Sequence, residues 1–268
     1  MSPADTSTAA GPPRGYREGA VGGTLVVARL DCYDAVCAAL RAGSLHAWAS
    51  AQPGARAMAG RGVAWATRLP DGPDVVVRHS RHGGMLASLT GDLFIAPTRA
   101  PRELDTSLRL RASGVRTPEL LAYVVYTAAG PLCRADVVTE LVNGLDLPGA
   151  LQAHHAHQER HEIRVAVSRL MEALWIAGAH HPDLNARNVL VATPLEARKA
   201  YVLDVDRVVF GKPRDERPRE MLRNSVRLQR SLRKVRDGMG IDLTLNEILA
   251  LANFRQHGNV AVIEPPTE

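Results

Sequence analysis

The stretch GAHHPDLNARNVLVATPLEARKAYVLDVDR, residues 178–207, decides how this chain folds. It places an acid, Asp183, five residues before an amide, Asn188, and a second acid, Asp204, after two short apolar runs. An Asp and an Asn at this spacing on one tight loop can face the same point. The apolar runs suit a short pair of strands that holds the two loops together. Carboxylate and amide oxygens are the ligands that Mg²⁺ prefers. The stretch therefore predicts a metal-binding loop, a strand pair and a second metal-binding loop.

Phosphoryl transfer is the chemistry that these side chains suit. An attacking hydroxyl needs an acceptor for its proton, and a polyphosphate needs a cation held by oxygen ligands. Catalysis would then consist mainly of positioning and charge neutralisation. Taken singly, the three residues could be a helix cap, a turn Asn and a strand-end Asp, but that interpretation leaves their joint spacing unexplained.

The pattern along the rest of the chain predicts an α+β fold, with a β-rich half before a helical half. Residues 63–69 and 74–79 are β-like runs separated by PDGPD, and they predict a hairpin. Residues 98–114 predict a helix, with Gly114 just past its end. The change from one half to the other lies near residues 143–147. Beyond it, apolar residues recur at the spacing of a buried helix face: Ile163, Val167, Leu170, Leu174 and Ala177.

These patterns divide the chain into four segments. Residues 1–22 are interpreted as a flexible leader, residues 23–142 as an N-terminal lobe, residues 143–258 as a C-terminal lobe with the catalytic loop, and residues 259–268 as a loosely held tail. The two lobes together form one domain.

Composition narrows the class of protein. With 46% hydrophobic and 23% charged residues among 268, the chain is typical of a soluble globular protein. It has no apolar run of the roughly 18 to 20 residues that span a bilayer, and its first residues do not resemble a signal peptide. Three cysteines without a paired framework suit a cytoplasmic protein. The net charge of +5 implies an anionic partner.

The motif in residues 178–190 resembles known catalytic loops. HPDLNARN is similar to the H-x-D-L-x-x-x-N loop of protein kinases. It is closer to the loop of the bacterial lipopolysaccharide kinase family, most of all to 3-deoxy-D-manno-octulosonic acid (Kdo) kinases. Their following Asp-x-Asp-Arg is matched by Asp204, Asp206 and Arg207. The resemblance covers roughly residues 55–236 and includes GRGVAW (60–65), VVVRHSRHGG (75–84), TRAPREL (98–104) and RNSVRLQRSLRK (223–234).

This resemblance implies a two-lobed protein-kinase-like fold and roles for residues of the catalytic loop. Asp183 would be the catalytic residue that orients or deprotonates the acceptor hydroxyl, and His181 would brace the loop. Asn188 and Asp204 would hold Mg²⁺. Pro182 stands where many regulated protein kinases have Arg, and no activation segment follows Asp204. Both departures indicate something other than a phosphorylation-regulated protein kinase.

The resemblance also implies residues that bind ATP. Gly60 and Gly62 would let a backbone turn approach the phosphates, and Glu140 would begin the hinge near adenine. Arg78 occupies the position of the phosphate-binding Lys of protein kinases, paired with Glu103, and no Lys precedes position 199. Alternatively, Arg78 is a solvated edge-strand residue and Glu103 is a first-turn Glu that favours the helix dipole.

The function implied by the resemblance is transfer of the γ-phosphoryl group of ATP to a sugar hydroxyl of the lipopolysaccharide inner core. The expected acceptor is the 4-hydroxyl of Kdo on lipid A. The enzyme would work in the cytoplasm, bound peripherally to the anionic surface of the inner membrane. Residues 212–236, which are rich in Arg, would contact that surface or an anionic substrate, unless they only form a solvated helix face.

Other functions stay open at this point. The acceptor could be another sugar, a small molecule or a protein. The substitution of Lys by Arg78 is compatible with a non-catalytic pseudokinase that binds anionic surfaces. Nucleic-acid binding would explain the charge but not the carboxylate spacing, so no nucleic-acid partner is expected. The cluster HHAHQERH (154–161) could hold a metal, although an exposed polar helix face explains it more simply.

Overall fold

The computed structural model describes residues 11–58, 63–80, 92–95, 98–128, 130–211, 217–253, 255–256 and 259–260. The helices are α1 (Tyr33–Leu40), α2 (Leu45–Ser50), α3 (Ala100–Ala112), α4 (Leu147–Ala153), α5 (His157–Ile176), α6 (Arg217–Met239) and α7 (Leu245–Ala252). The strands are β1 (Tyr16–Val21), β2 (Thr24–Arg29), β3 (Arg56–Met58), β4 (Ala64–Arg68), β5 (Asp74–His79), β6 (Phe94–Ile95), β7 (Leu120–Thr127), β8 (Leu132–Glu140), β9 (Gly144–Asp146), β10 (Ala179–His180), β11 (Val189–Ala192), β12 (Ala200–Val202), β13 (Val209–Phe210), β14 (Arg255–Gln256) and β15 (Asn259–Val260).

The chain forms two compact units, and the predicted α+β class is confirmed. Unit 1 comprises residues 1–105 and 119–141, and unit 2 comprises residues 106–118 and 142–268. Helix α3 therefore begins in unit 1 and ends in unit 2. Each unit has a hydrophobic core of its own.

Unit 1 is built on an antiparallel sheet with the strand order β1-β2-β7-β8-β5-β4-β3, and β6 pairs with β8. The predicted hairpin is confirmed, because β4 and β5 pair in register from Ala64 with Arg78 to Arg68 with Asp74. Apolar residues of α1 and α2 pack with the inner strands in the core of this unit.

Strand β1 corrects the interpretation of residues 1–22 as a flexible leader. Its six residues pair with β2 throughout, from Tyr16 with Arg29 to Val21 with Thr24. Tyr16 is buried, and its hydroxyl donates a hydrogen bond to the Leu120 carbonyl at 2.6 Å. An edge strand needs few buried side chains, so the sequence YREGAV lacks the apolar alternation that would have revealed it.

Unit 2 is helical and has α5 along its core. The predicted helix face of α5 is confirmed for Ile163, Val167, Leu170 and Leu174, which are all buried. Ala177, the last residue of the predicted face, lies just past the end of the helix and is half-buried. The predicted strand pair between the two loops is also confirmed: β11 pairs with β12, and β9 adds on the other side. Gly144 of β9 lies so close to β11 that a Cβ there would collide with the Val191 carbonyl.

Among the described residues, no helix combines the length and the apolar character that crossing a membrane requires.

Candidate active site

The loop that precedes β11 is organised around the buried ring of His181. The ring Nδ1 accepts a hydrogen bond from the Asp183 backbone N–H at 3.2 Å, and Nε2 lies 3.0 Å from the Leu203 carbonyl. A backbone N–H can only donate and a carbonyl can only accept, so the ring carries its proton on Nε2. His181 therefore joins the loop of Asp183 to the end of the β11–β12 hairpin.

Two amides fix the backbone of the same loop. The Asp183 carbonyl accepts hydrogen bonds from the side-chain nitrogens of Asn185 and Asn188, both at 2.9 Å. Asn185 also accepts from the Arg187 backbone N–H at 3.0 Å, which caps the short 3₁₀ turn 186–188. Because the Asn188 nitrogen is committed to a carbonyl, its amide oxygen is the atom left to bind a cation.

The second predicted acid, Asp204, comes after β12, and hydrogen bonds of its neighbour Leu203 link it to this loop. The Leu203 backbone N–H donates to the Asn188 carbonyl at 2.9 Å, so the residue before Asp204 is hydrogen bonded to both His181 and Asn188. Asp204 itself is exposed and has the left-handed backbone conformation, with φ of 59°. Such a conformation is uncommon outside glycine, although Asp tolerates it better than most residues. It marks the sharp turn after β12 that redirects the chain.

An ion pair joins the two loops through their side chains. The Arg207 guanidinium donates from Nη1 to Asp183 Oδ2 at 2.5 Å. The carboxylate of Asp183 raises the pKa of Arg207, and the nearby acids Asp206 and Asp204 act in the same direction. The sequence identified Arg207 only as part of a matching motif, and it gave no sign of this contact.

Helix α6 supports the loop from the other side, which the sequence did not reveal. Asn224 is fully buried: its amide oxygen accepts from the His181 backbone N–H at 3.1 Å, and its nitrogen donates to the Ala179 carbonyl at 2.9 Å. The Ser231 hydroxyl accepts from the Ala186 backbone N–H at 2.9 Å. Arg227 donates to the Pro182 carbonyl. One feature of the sequence could have indicated these contacts: polar residues such as Asn224 lie on the apolar side of a basic helix.

In unit 1 the predicted pair of Arg78 and Glu103 is in contact. Arg78 of β5 donates from Nη2 to Glu103 Oε1, and Glu103 is buried in the first turn of α3. The contact argues against a solvated Arg78 and an independent Glu103. Their role in binding ATP stays a prediction.

The other predicted ATP-binding residues have different placements. The Glu140 side chain accepts a hydrogen bond from the Glu119 backbone N–H at 3.0 Å, at the end of β8 where it pairs with the start of β7. Its predicted place near adenine stays a prediction. Gly60 and Gly62 lie outside the described residues.

The donor atoms of Asn188 and Asp204 suit Mg²⁺, which takes hard oxygen ligands. Among the residues described, no cluster of three or more His, Cys, Asp or Glu side chains could hold a metal ion. One carboxylate and one amide oxygen are a typical protein contribution to Mg²⁺, because phosphates of the substrate and water supply the rest. The residues present therefore fit a metal that binds together with a nucleotide.

The histidine cluster of residues 154–161 makes local contacts. His154 Nδ1 lies 3.1 Å from Glu159 Oε1, and His161 Nδ1 accepts a hydrogen bond from Arg164 at 2.8 Å. These bonds link neighbouring residues at the start of α5, as expected of a polar helix face.

Comparisons with known proteins agree with the resemblance found in the sequence. Residues 46–253 match the model of the lipopolysaccharide kinase (Kdo/WaaP) family. A 3-deoxy-D-manno-octulosonic acid kinase of Actinobacillus succinogenes is 31% identical over 192 residues, which cover 69% of this chain and 77% of the relative. A kinase of the same name from Xylella fastidiosa is 29% identical over 200 residues, which cover 73% and 76%.

A solved structure described as WaaP in complex with acyl carrier protein is also similar. It has 19% sequence identity and a TM-score of 0.48, and the match covers 78% of this chain and 80% of the other. The family model alone spans well over half of the chain. The chain therefore belongs to the lipopolysaccharide kinase (Kdo/WaaP) family and is a phosphotransferase that uses a sugar hydroxyl as acceptor.

Proposed function

We propose that this enzyme transfers the γ-phosphoryl group of ATP to the 4-hydroxyl of the Kdo residue attached to lipid A. The acceptor is inferred from the relatives, which are named as Kdo kinases. The observation that carries the proposal is the loop in which His181, Asn185 and Asn188 fix the backbone of Asp183. A fixed acceptor for the hydroxyl proton is what phosphoryl transfer requires of the protein.

In the proposed reaction Asp183 accepts a hydrogen bond from the acceptor hydroxyl and orients it toward the γ-phosphorus. A bond forms between the hydroxyl oxygen and phosphorus, and the bond between the γ-phosphorus and the β,γ-bridging oxygen breaks. ADP leaves with the electron pair of that bond, and the hydroxyl proton passes to Asp183 and then to solvent. Mg²⁺, held by Asn188 and Asp204, would neutralise charge on the phosphates.

The nucleotide is assigned to the residues predicted from the sequence. Arg78, held by Glu103, is proposed to bind phosphate oxygens through its planar fork. Glu140 is proposed to lie near adenine, and Gly60 and Gly62 to form the turn next to the phosphates.

The test is incubation of the enzyme with ATP, Mg²⁺ and Kdo-lipid A, followed by mass analysis for one added phosphate. We expect phosphorylation by the native chain and its loss in Asp183→Asn, which keeps the size of the side chain but not its charge. An acceptor analogue without the 4-hydroxyl separates the position of transfer from the identity of the acceptor. Full activity of Asp183→Asn would show that the catalytic residue is assigned wrongly.

We also propose that helix α6 binds the anionic surface of the inner membrane. Four basic residues, Arg223, Arg227, Arg230 and Lys234, are exposed at intervals of four, three and four residues, so they form one stripe along the helix. A basic side chain close to anionic headgroups contributes about 1 kcal/mol to membrane binding. The stripe also runs past the catalytic loop, where Arg227 contacts the Pro182 carbonyl.

Sedimentation with vesicles of phosphatidylglycerol and phosphatidylcholine tests this surface. A smaller fraction of the triple variant Arg223→Gln, Arg230→Gln, Lys234→Gln should sediment with the vesicles. Added salt should weaken binding of the native chain. The control removes the same charge from exposed positions elsewhere: Arg41→Gln, Arg56→Gln, Arg116→Gln. Equal binding by the two triple variants would contradict a specific role for α6.

A further inference from the structure

If Asp183 acts as proposed above, Arg207 lies close enough to Asp183 for its charge to act on the reacting atoms as well. Its Nη1 lies 2.5 Å from Asp183 Oδ2. The side chains are 55% exposed for Arg207 and 32% exposed for Asp183, so both remain open to a substrate. A surface ion pair of this kind adds little to stability, which leaves its position beside the catalytic carboxylate as the feature to explain.

The backbone that carries Arg207 is held firmly. A 3₁₀ turn, Val205–Arg207, starts directly after Asp204, whose backbone is left-handed. The turn is anchored on both sides of Arg207 by buried side chains, Val205 and Val208, and the Val208 backbone N–H donates to the Val205 carbonyl at 3.1 Å. The same turn thus fixes Asp204, the proposed metal ligand, and Arg207.

The contact with Asp183 limits how far Arg207 can be from the transferred group. An acceptor oxygen hydrogen bonded to Asp183 lies about 2.6–3.2 Å from that carboxylate. If the acceptor binds Asp183 Oδ1, the Arg207 guanidinium that is hydrogen bonded to Oδ2 lies within roughly 6 Å of the attacking oxygen. In phosphoryl transfer, negative charge is spread over the three equatorial oxygens next to the attacking atom. A guanidinium has five N–H donors, and Asp183 takes one through Nη1, so the group can also contact a phosphoryl oxygen.

We propose that Arg207 is a catalytic residue that donates hydrogen bonds to the equatorial oxygens of the phosphoryl group as it passes from ATP to the acceptor. Its Nη1 holds Asp183 during the same step, so one planar group aligns the base with the phosphorus and neutralises developing charge. This inference rests on the proposed function, because it requires Asp183 to bind the acceptor hydroxyl.

The experiment compares three substitutions of Arg207 in steady-state assays with ATP, Mg²⁺ and Kdo-lipid A. Arg207→Met should lower kcat by about 10² to 10³-fold, as expected for loss of a charged donor to the transition state. The affinity for ATP, measured separately by titration, should change by less than about threefold, because the interaction strengthens only in the transition state. Arg207→Lys keeps the charge without the planar fork and should recover part of the loss.

A third substitution tests whether the guanidinium itself acts. Arg207→Ala leaves an open space at an exposed position, so added guanidinium chloride should raise its kcat, whereas the same concentration of urea should not. A merely structural role would not produce such rescue. Arg169→Met, which removes an exposed Arg from α5 of the same unit, is the control and should retain native kcat. Thermal unfolding of each variant separates loss of activity from loss of folding.

The outcomes distinguish this inference from the proposed function. If Asp183→Asn is active, the proposed catalytic role of Asp183 is wrong, and the role of Arg207 that depends on it is overturned too. If Asp183→Asn is inactive while Arg207→Met keeps kcat within about threefold of native, only the role of Arg207 is overturned. The same conclusion follows if Arg207→Met raises the KM for the acceptor without lowering kcat. It also follows if Arg187→Met, which removes the Arg nearest to Asp183 in the sequence, lowers kcat while Arg207→Met does not.

Discussion

Arg78 on β5 forms an ion pair with Glu103, although 25 residues separate them in the sequence. Glu103 is almost completely buried and Arg78 is about one-third exposed. The pair therefore fixes the guanidinium near the surface of unit 1 while its partner stays in the interior. A buried carboxylate without its cation is costly, so each side chain constrains the other.

We predict that Glu103→Gln weakens ATP binding by about tenfold, because the guanidinium loses the charge that orients it. Arg78→Met should weaken it more, and Arg78→Lys should recover part of the affinity. Titration of each variant with a fluorescent ATP analogue measures the effect. The control is Arg68→Met, which breaks the exposed pair of Arg68 and Asp74 in the same sheet. Unchanged affinity in Glu103→Gln would contradict a role for the pair in nucleotide binding.

Asn224 supplies the second prediction, because it bonds the backbone on both sides of His180 from a fully buried position. Asn224→Ala leaves the Ala179 carbonyl and the His181 N–H without these partners. A buried group that loses its partner costs about 1–3 kcal/mol, so the free energy of unfolding should fall by about that amount in urea titrations.

The same substitution should lower kcat, since the loop of Asp183 loses its support. For the free energy of unfolding, the matched control is Lys234→Ala on the exposed side of α6, which should change that free energy by less than about 0.5 kcal/mol. Similar stabilities for the two variants would show that the Asn224 bonds are dispensable.

The sequence predicted those parts of the fold that follow from a local pattern. The hairpin of β4 and β5 was marked by two β-like runs on either side of PDGPD, and the β11–β12 pair by two apolar runs between the loops. The core face of α5 followed from helical periodicity. Strand β1 was missed, because an edge strand buries few side chains and has no such pattern.

The contacts that organise the candidate site were less accessible to prediction. Arg207 and Asp183 are 24 residues apart, and Asn224 and His181 are 43 residues apart. Their pairing depends on how loops and α6 pack in three dimensions, which no periodicity reports. Arg78 and Glu103 could be paired only through the resemblance to kinases. Motif spacing can thus identify reactive groups, while their supporting bonds require the tertiary structure.

His79 of β5 should make the stability of the folded chain depend on pH. Its ring lies between two carboxylates, 2.5 Å from Asp136 Oδ1 and 2.9 Å from Asp92 Oδ2. The hydrogen bond to Asp136 is the largest cause that raises the pKa of His79 above its usual 6.5, and burial opposes it. Tyr126 donates to Asp136, and Arg134 donates to Asp92. The His46 ring is also near, at 5.8 Å.

A raised pKa means that protonation of His79 stabilises the folded state. This contribution is complete below the unfolded pKa of about 6.5 and is lost as the pH rises through the higher folded pKa. The thermal stability of the native chain should therefore contain a component that falls across this range. His79→Gln should lack that component, as judged by unfolding temperatures measured from pH 5.5 to pH 9. Identical pH profiles for the two proteins would refute this assignment.

Two glycines of unit 2, Gly144 and Gly238, differ in how much space surrounds them. Gly144→Ala should lower the free energy of unfolding by about 1–3 kcal/mol, because the added Cβ collides with the Val191 carbonyl and forces β9 away from β11. Gly238→Ala should act in the opposite direction. Gly238 lies within α6 and an added Cβ meets nothing within 4 Å, so alanine stabilises the helix by about 0.5–1 kcal/mol. Urea unfolding of both variants measures the difference, and a loss of stability in Gly238→Ala equal to that in Gly144→Ala would show that close packing of β9 on β11 is not the cause.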